Sequence, residues 1–320
     1  MTPEHDVVVV GGGPAGCAVG VFTARAGLDT LLFDRGRSSI ARCAHLENYL
    51  GFPAGVDAET FAELCHDHAE TAGCVIEPNL VESVERVDAP AETGEAADTE
   101  EPHFRVRPQS GDPVTASRVV TATRYDADYL RDLDAAADLF TDPSDDAQLR
   151  DDCAAHDGTT PVDGLYVVSP SPEDTQAMIA AGRGARVGRR VVADARIDDG
   201  WWEAVATERV DWTRRTAELD AEWADRARWV EWFDDHHADA PVDTDSERYR
   251  RVRARAIAEA RDSYIDTNEE TTRAEDGQAR LAEHLDPAAA VDGIGADRLL
   301  DAMDDAAIRA YLDRETVVGD

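Results

Sequence analysis

The stretch that decides the fold is Asp6 to Gly16, DVVVVGGGPAG. Four valines followed directly by glycine are typical of a buried parallel strand that ends in a tight turn. The glycines at 11, 13 and 16 have the spacing G-x-G-x-x-G. In that pattern the first permits the turn, the second lets the backbone approach a pyrophosphate and the third lets a helix pack close to the strand. The segment therefore predicts a phosphate-binding loop that opens a helix near Pro14.

A second apolar run, Thr30 to Phe33, ends in Asp34, which lies 18 residues after Gly16. A carboxylate at the end of the second strand of a βαβ unit can accept hydrogen bonds from both ribose hydroxyls of a dinucleotide. The same carboxylate repels a 2′-phosphate, so the pocket is not expected to take NADP. Strand, loop, helix, strand and acid together predict a dinucleotide site.

Further patterns extend this unit into a larger α/β domain. A helix is expected over 58–72, a strand over 163–169 and an Ala- and Gly-rich helix over 173–195. Three short strands near 80–87, 104–107 and 114–121 are close in sequence and predict an antiparallel β-meander. The predicted fold class is α/β, with a Rossmann-like domain that combines a parallel sheet and a β-meander.

Composition divides the rest of the chain. Residues 126–160 are rich in Asp and Ala and poor in large apolar side chains, which predicts a mobile connection with at most short helices. From residue 198 the sequence is charged, Ala-rich and of helical period, and all six tryptophans lie between Trp201 and Trp232. We therefore predict domains at 1–195 and 196–320, the second an α-helical extension. Its aromatic residues are expected to anchor a helix on its own core, with a partner interface as the alternative.

The charge is strongly negative. The chain has 68 acidic residues and 32 basic ones, all of them arginine, and its formal net charge is −36. The absence of lysine excludes chemistry that needs a lysine amine. A carboxylate-rich surface argues against nucleic acid and anionic membranes as partners. It indicates a halophilic cytoplasm, where molar salt reduces the screening length to about 3 Å. A specific cationic partner is the alternative explanation of the charge. No signal-like apolar run occurs, so a cytoplasmic location is expected.

The five cysteines include no C-x-x-C pair, so neither a disulfide framework nor a zinc site is expected. Cys65, His66 and His68 do not share one helix face, which also argues against a metal. Cys43 is a weak candidate for a catalytic thiol, because it lies alone in the loop after the second strand.

Five stretches share a pattern with one known family: VVVVGGGPAG at 7–16, LENYLGFP at 46–53, HDHA at 66–69, VVTAT at 119–123 and DGLYVVSPSPEDTQAMIAAGRGA at 163–185. On these stretches the chain resembles the FAD domain of the bacterial-type thioredoxin reductases. The resemblance implies FAD as the cofactor, with Asn48 at the flavin, Thr123 along the cofactor, and Gln176 with Ala177 at the pyrimidine edge of the flavin ring. Together the predicted cofactor-binding residues are Gly11, Gly13, Pro14, Ala15, Gly16, Asp34, Arg35, Asn48, Thr123, Gln176 and Ala177.

The sequence also departs from that family. Only 37 residues separate Thr123 from Pro161, where the family has an NADPH domain with a redox C-x-x-C, and neither a second glycine fingerprint nor C-x-x-C is present. Arg124 replaces a glycine, and Ser169-Pro170 replaces a Gly-Asp whose carboxylate binds the ribityl chain. Losing one such hydrogen bond weakens FAD binding by about tenfold to a hundredfold.

Three functions fit this pattern. The first is an FAD-binding oxidoreductase whose electron donor or acceptor is an external protein. The oxidoreductase itself can also be a homo-oligomer. The second is a degenerate, non-catalytic dinucleotide-binding or scaffold protein that acts through its helical tail. The third is an enzyme reduced by ferredoxin or by a partner reductase.

Overall fold

The structure is a computed structural model that describes residues 4–87, 103–123, 127–133, 136–141, 148–168, 176–208, 214–216 and 221–317. In chain order its strands are β1 His5–Val10, β2 Thr30–Phe33, β3 His45–Leu46, β4 Val56–Asp57, β5 Val75–Glu77, β6 Val81–Val87, β7 His103–Pro108, β8 Val114–Thr121, β9 Leu165–Val167, β10 Arg215–Thr216 and β11 Tyr264–Ile265. Its α-helices are α1 Pro14–Arg25, α2 Ala58–Thr71, α3 Ala136–Leu139, α4 Ala177–Asp198, α5 Glu203–Glu208, α6 Ala221–Ala224, α7 Arg226–His236, α8 Glu247–Asp262, α9 Thr267–Ala282, α10 Pro287–Ile294, α11 Ala296–Ala302 and α12 Asp305–Val317. Short 3₁₀ helices occupy Ser39–Arg42 and Asp128–Leu130.

One sheet of seven strands organises the first part of the chain, in the order β5-β2-β1-β8-β7-β6, with β9 also paired to β8. The pairs from β5 through β8 to β9 are parallel, whereas β6, β7 and β8 form an antiparallel meander. The predicted α/β class with both kinds of pairing is therefore confirmed. Strand β5, which the sequence pattern did not predict, extends the parallel edge.

Strand β8 joins the two parts of the sheet. Its first residues pair with β7, Ala116 opposite Phe104, while its last residues pair with β9, Val119 opposite Leu165. Its other edge runs parallel to β1 along its length. The third strand of the meander is thus also a central parallel strand, which explains why Val119 and Val120 are fully buried.

Helices α1 and α4 cover one face of the sheet, where Val7, Val9 and Leu32 belong to the same core cluster as Val187 and Val191. Small residues bring the two helices together. A Cβ atom on Gly184 would overlap the carbonyl of Ala15. The sequence predicted close packing of this helix on the sheet; the structure adds an equally close contact with α1. The helix is described from Ala177, so its predicted start at residue 173 lies outside the described residues.

The connection after Thr123 covers the opposite face. Its described residues contribute Leu130, Leu139, Phe140 and Val162 to a core that also contains Phe33 from β2. The helices in the described part of this connection are short, namely Asp128–Leu130 and α3. The burial of Leu130, Leu139 and Phe140 was not expected from a segment that the sequence predicts to be mobile. Few large apolar residues were counted in this segment, and the structure shows that almost every one of them is buried.

The chain divides into compact units at Met1–Thr267 and Asn268–Asp320. The predicted boundary at 195 falls inside α4, which continues to Asp198 and leads into an aromatic core with Trp201. In that core Trp202 stacks on Tyr249, with ring centroids 5.4 Å apart, and Phe233 is fully buried. The aromatic residues thus anchor the helices of this region on their own core, as predicted.

The second unit consists of α9 to α12, apart from the first residue of α9. None of the side chains described in α9, α10 or α11 is buried. Across the described part of the chain, no helix is both long enough and apolar enough to span a bilayer.

Candidate dinucleotide site

The site lies where three parallel strands end at the same edge of the sheet. Val10 at the end of β1 is paired with Phe33 on one side and with Thr121 on the other. The turn that follows is held to both neighbours, because the Gly11 N–H donates to the Phe33 carbonyl at 2.9 Å and the Ala122 N–H donates to the Val10 carbonyl at 2.8 Å. This register places the glycine turn, Asp34 and Thr123 side by side.

The backbone of the glycine turn is shaped for a phosphate. Gly11 has φ +114°, a conformation that side chains rarely adopt, and a Cβ on Gly16 would overlap the Gly11 carbonyl. Gly13 caps α1 without a side-chain hydrogen bond, and Pro14 occupies the first helical turn. The first N–H groups of α1 are consequently left for a ligand, and the helix dipole favours an anion there.

Asp34 lies directly beside this turn. It is 9% exposed, and its Oδ1 accepts a hydrogen bond from the Gly36 N–H at 2.9 Å. A Cβ on Gly12 would overlap the Asp34 side chain, so the middle glycine of the GGG run is required by the carboxylate and not by the turn alone. The two features that predicted a dinucleotide site are therefore in direct contact.

His66, which the sequence analysis treated only as a possible metal ligand, is part of this arrangement. Its Nε2 atom lies 3.2 Å from Asp34 Oδ2 and 2.9 Å from the Gly12 carbonyl oxygen. The hydrogen bond with Asp34 raises the pKa of His66, and the same contact lowers the pKa of Asp34. The HDHA match at 66–69 was the only signal in the sequence, and it gave no indication that α2 reaches the loop.

A cavity of about 600 Å³ runs from this turn along the sheet edge. It brings together ten of the eleven predicted cofactor residues, and Gly16 is the exception because it lies beneath the turn, packed on Gly11. The predicted residues on the wall are Gly11, Gly13, Pro14, Ala15, Asp34, Arg35, Asn48, Thr123, Gln176 and Ala177, and the weak candidate Cys43 joins them.

Other lining residues were missed by the sequence analysis. Tyr129 comes from the connection after Thr123, is 5% exposed and forms a 2.9 Å hydrogen bond between its hydroxyl and Thr123 Oγ1. Asn79, Leu80 and Val81 line the cavity at the start of β6. No short motif marks these positions, since they reach the cavity only through sheet pairing and packing.

The two ends of the cavity differ in exposure. Asp34 and Ala15 are buried near the glycine turn, whereas Asn48, Gln176 and Cys43 are exposed. The end that the resemblance assigns to the flavin is therefore the accessible one. Arg124 and Ser169-Pro170, which depart from the family pattern, lie outside the described residues.

The cysteines contribute little nucleophilic chemistry. Burial raises the pKa of Cys65 and of Cys74 to about 12, and it raises the pKa of Cys17 further. Cys43 is exposed and lines both the main cavity and a neighbouring cavity of about 620 Å³ beside α2. Among the described residues, no group of three His, Cys, Asp or Glu side chains is arranged to hold a metal ion.

A glycine turn at a helix start, a carboxylate on the neighbouring strand end and a long cavity across them define a Rossmann-type dinucleotide-binding domain. A Cβ on Gly11, Gly12 or Gly16 would overlap neighbouring protein atoms, so the turn can be built only from glycine. The bare backbone amides of such a turn fit the pyrophosphate of an adenine dinucleotide such as FAD.

Comparison with known proteins agrees with this class. The family model for glucose inhibited division protein A matches residues 6–140. The thioredoxin reductase of Listeria monocytogenes is 44% identical over 50 residues, which are 15% of this chain and 16% of that protein. That of Bacillus subtilis is 37% identical over 71 residues, 22% of each protein. A solved thioredoxin reductase from Gloeobacter violaceus is 17% identical, with a TM-score of 0.44 over 61% of this chain and 96% of that one.

The family model and the two sequence similarities confirm the resemblance predicted from the sequence. The amino-terminal part of the chain is similar to the FAD domain of thioredoxin-reductase-like oxidoreductases, and FAD is the cofactor of that domain. The matched stretches span only 16–22% of the two curated relatives described above, so the activity of a whole reductase does not transfer with them.

Proposed function

We propose that this protein is an FAD-dependent oxidoreductase that exchanges electrons with an external protein. The observation that carries the proposal is the cavity itself, because one continuous wall joins the phosphate turn, Asp34 and the predicted flavin residues Asn48, Gln176 and Ala177. Bound FAD supplies hydride or single-electron transfer at its ring. The protein supplies binding, orientation and access.

Each part of the wall has a separate task in this proposal. The free N–H groups at the start of α1 hold the pyrophosphate, and Asp34 accepts the ribose hydroxyls. Arg35 and Arg37 also line the cavity and offset the negative charge of the two phosphates. Asn48, Gln176 and Ala177 orient the ring at the exposed end. Cys43 lies near that end, and Cys65, which lines the neighbouring cavity together with it, has a pKa that burial raises to about 12.

Access at the exposed end supports an external donor or acceptor. Leu50 is 80% exposed two residues after Asn48, and Ile179 is 42% exposed two residues after Ala177. Tyr49 and Ala177 belong to one apolar cluster, so these two segments are neighbours. We therefore assign Leu50 and Ile179, beside the predicted flavin residues, to the surface that the external protein contacts. In addition, the sequence contains no C-x-x-C pair and no second G-x-G-x-x-G motif, which also favours an external electron donor.

The binding part is tested by titrating the purified protein with FAD in high salt and recording flavin absorbance and the bound fraction. Wild type is expected to bind FAD at about one per chain. Gly13→Val is expected to lose binding, because its side chain would occupy the space in which the backbone approaches the pyrophosphate, and its Cβ would also lie 2.8 Å from Ser38 Oγ. Gly182→Ala is the control, since nothing lies within 4 Å of its Cβ. Unchanged binding by Gly13→Val contradicts the assigned role of the loop.

The donor is tested with the FAD-loaded protein. Reduction by NADPH alone is expected to be slow, and a reduced small electron-carrier protein is expected to reduce the flavin rapidly. Ile179→Asp should slow reduction by the carrier but not by dithionite, and Leu281→Asp in α9 is the matched control at an exposed leucine. Fast reduction by NADPH alone contradicts the external-donor proposal.

A non-catalytic binding protein is the second candidate, and the sequence departures Arg124 and Ser169-Pro170 favour it. If the protein is non-catalytic, it still binds FAD or ADP. An electron-carrier protein then reduces the bound flavin no faster than it reduces free flavin.

A further inference from the structure

We propose that His66 is a positioning residue for the adenosine ribose, acting through Asp34 and the glycine turn. This inference rests on the proposed function, because it assigns a role within the same FAD site. Its basis is that a single imidazole nitrogen contacts two parts of the site. His66 Nε2 lies 3.2 Å from Asp34 Oδ2 and 2.9 Å from the carbonyl oxygen of Gly12.

The contact fixes the orientation of the carboxylate. Asp34 Oδ1 already accepts a hydrogen bond from the Gly36 N–H, and His66 Nε2 contacts Oδ2. The Asp34 side chain therefore cannot rotate away from the glycine turn without losing one of these contacts. Each carboxylate oxygen retains acceptor capacity for a ribose hydroxyl. A carboxylate that is held in one orientation before the ligand arrives loses less entropy on binding.

The contact also fixes the peptide between Gly12 and Gly13. The Gly12 carbonyl accepts a hydrogen bond from the Cys17 thiol of α1 at 3.3 Å and lies 2.9 Å from His66 Nε2 of α2. With that carbonyl turned toward α1 and α2, the N–H of the next residue points the opposite way. Because the amides of this turn bind the pyrophosphate, α2 helps to present them.

Charge gives a third reason. Asp34 lies in the same cavity as the pyrophosphate site, and a carboxylate repels phosphates. The pKa of His66 is raised by Asp34 and, more weakly, by Glu70, which favours its positive form. An imidazolium against Asp34 therefore offsets part of that repulsion, in addition to Arg35 and Arg37 on the cavity wall.

The test compares binding of FAD and of ADP, which contains the adenosine ribose and the diphosphate but no flavin, to the full chain in high salt. His66→Leu removes the donor and keeps an apolar side chain of similar bulk; we expect it to lose about tenfold in affinity for both ligands. His66→Gln keeps an N–H donor and is expected to recover most of that loss. His68→Gln, two residues further on α2, is the control and should match wild type.

Different outcomes separate the proposals. If wild type binds FAD and His66→Leu binds FAD and ADP within twofold of wild type, the role of His66 is refuted while the proposed function stands. The same holds if His66→Gln binds as weakly as His66→Leu, because the imidazole then serves packing and not hydrogen bonding. If wild type binds neither FAD nor ADP, the proposed function fails and the role of His66 with it.

Discussion

The pair formed by Asp34 and His66 shows how far one residue's role depends on another that is distant in sequence. Asp34 was predicted from its place after the second strand, and the structure puts it beside the glycine turn. Its partner comes from a helix whose pattern gave no hint of the contact. The sequence thus predicted the carboxylate of Asp34 but not His66, which lowers the pKa of that carboxylate.

The pair predicts a pH dependence of stability. The folded-state pKa of His66 is raised, so its contribution is complete below its unfolded value of about 6.5 and is lost as pH rises through the raised value. The pKa of Asp34 is lowered, so its contribution is complete above about 3.9 and is lost as pH falls through the lowered value. The free energy of unfolding of wild type should exceed that of His66→Gln most near pH 5.5. Urea unfolding at pH 5.5 and 9 measures this, and an equal difference at both pH values would contradict it.

Tyr129 leads to a second prediction at this scale. Its hydroxyl bonds to Thr123 Oγ1 inside the cavity, while its ring packs in the core. Tyr129→Phe removes the hydroxyl alone and should cost about 1 kcal/mol of unfolding free energy. FAD affinity should fall only slightly, since the ring remains. Thermal unfolding with and without FAD measures both effects, and a larger loss of FAD affinity than of stability would show that the hydroxyl contacts the ligand.

At the scale of elements, the contact between α1 and α4 links the core to the ligand loop. Gly184 and Gly182 lie two residues apart on α4, yet a Cβ at 184 would overlap the Ala15 carbonyl and a Cβ at 182 meets nothing. Gly184→Ala should therefore destabilise the protein by about 1–3 kcal/mol and weaken FAD binding, because Ala15 lies in the phosphate loop. Gly182→Ala should be neutral or slightly stabilising. Equal effects of the two variants on unfolding and FAD titration would contradict this reading of the interface.

Several elements could be predicted because local sequence determines them. Strand β2 has the predicted bounds, and α1 begins at the predicted Pro14, since valine runs, Pro14 and the glycines act over a few residues. Strand β5 was missed because Val75 to Glu77 is short and shows no alternation. The positions of Tyr129 and Val81 on the cavity wall were missed for a different reason. They arise from contacts between segments that are far apart in sequence.

The core that the connection after Thr123 contributes was not predicted, because composition measures how many apolar residues a segment has and not where they lie. Leu139 is fully buried although it sits among aspartates. Leu139→Ala should cost about 2–5 kcal/mol of unfolding free energy. Leu50→Ala, at a leucine that is 80% exposed, is the control and should change stability by less than about 0.5 kcal/mol. A mobile connection would instead predict the same small effect for both variants in chemical unfolding.

At the scale of the whole molecule, the charge is the dominant property that neither the fold nor the site explains. The chain has 68 acidic and 32 basic residues, and many of its arginines are engaged with nearby carboxylates, as Arg253 is with Asp234. Pairing cannot neutralise an excess of 36 negative charges. The excess is the same in any fold, and compaction brings those charges closer together.

This repulsion predicts that stability rises steeply with salt. Between about 0.1 and 1 M the Debye length falls from about 10 Å to about 3 Å, so repulsion between surface carboxylates is largely removed. We expect the unfolding midpoint to rise by roughly 10 °C or more over that range. Because screening is nearly complete at 1 M, the rise between 2 and 3 M should be much smaller, apart from a gradual effect of salt on apolar burial. Thermal unfolding in a KCl series at constant pH measures this, and a midpoint that is already maximal at 0.1 M would mean that the acidic surface serves a cationic partner and not a saline environment.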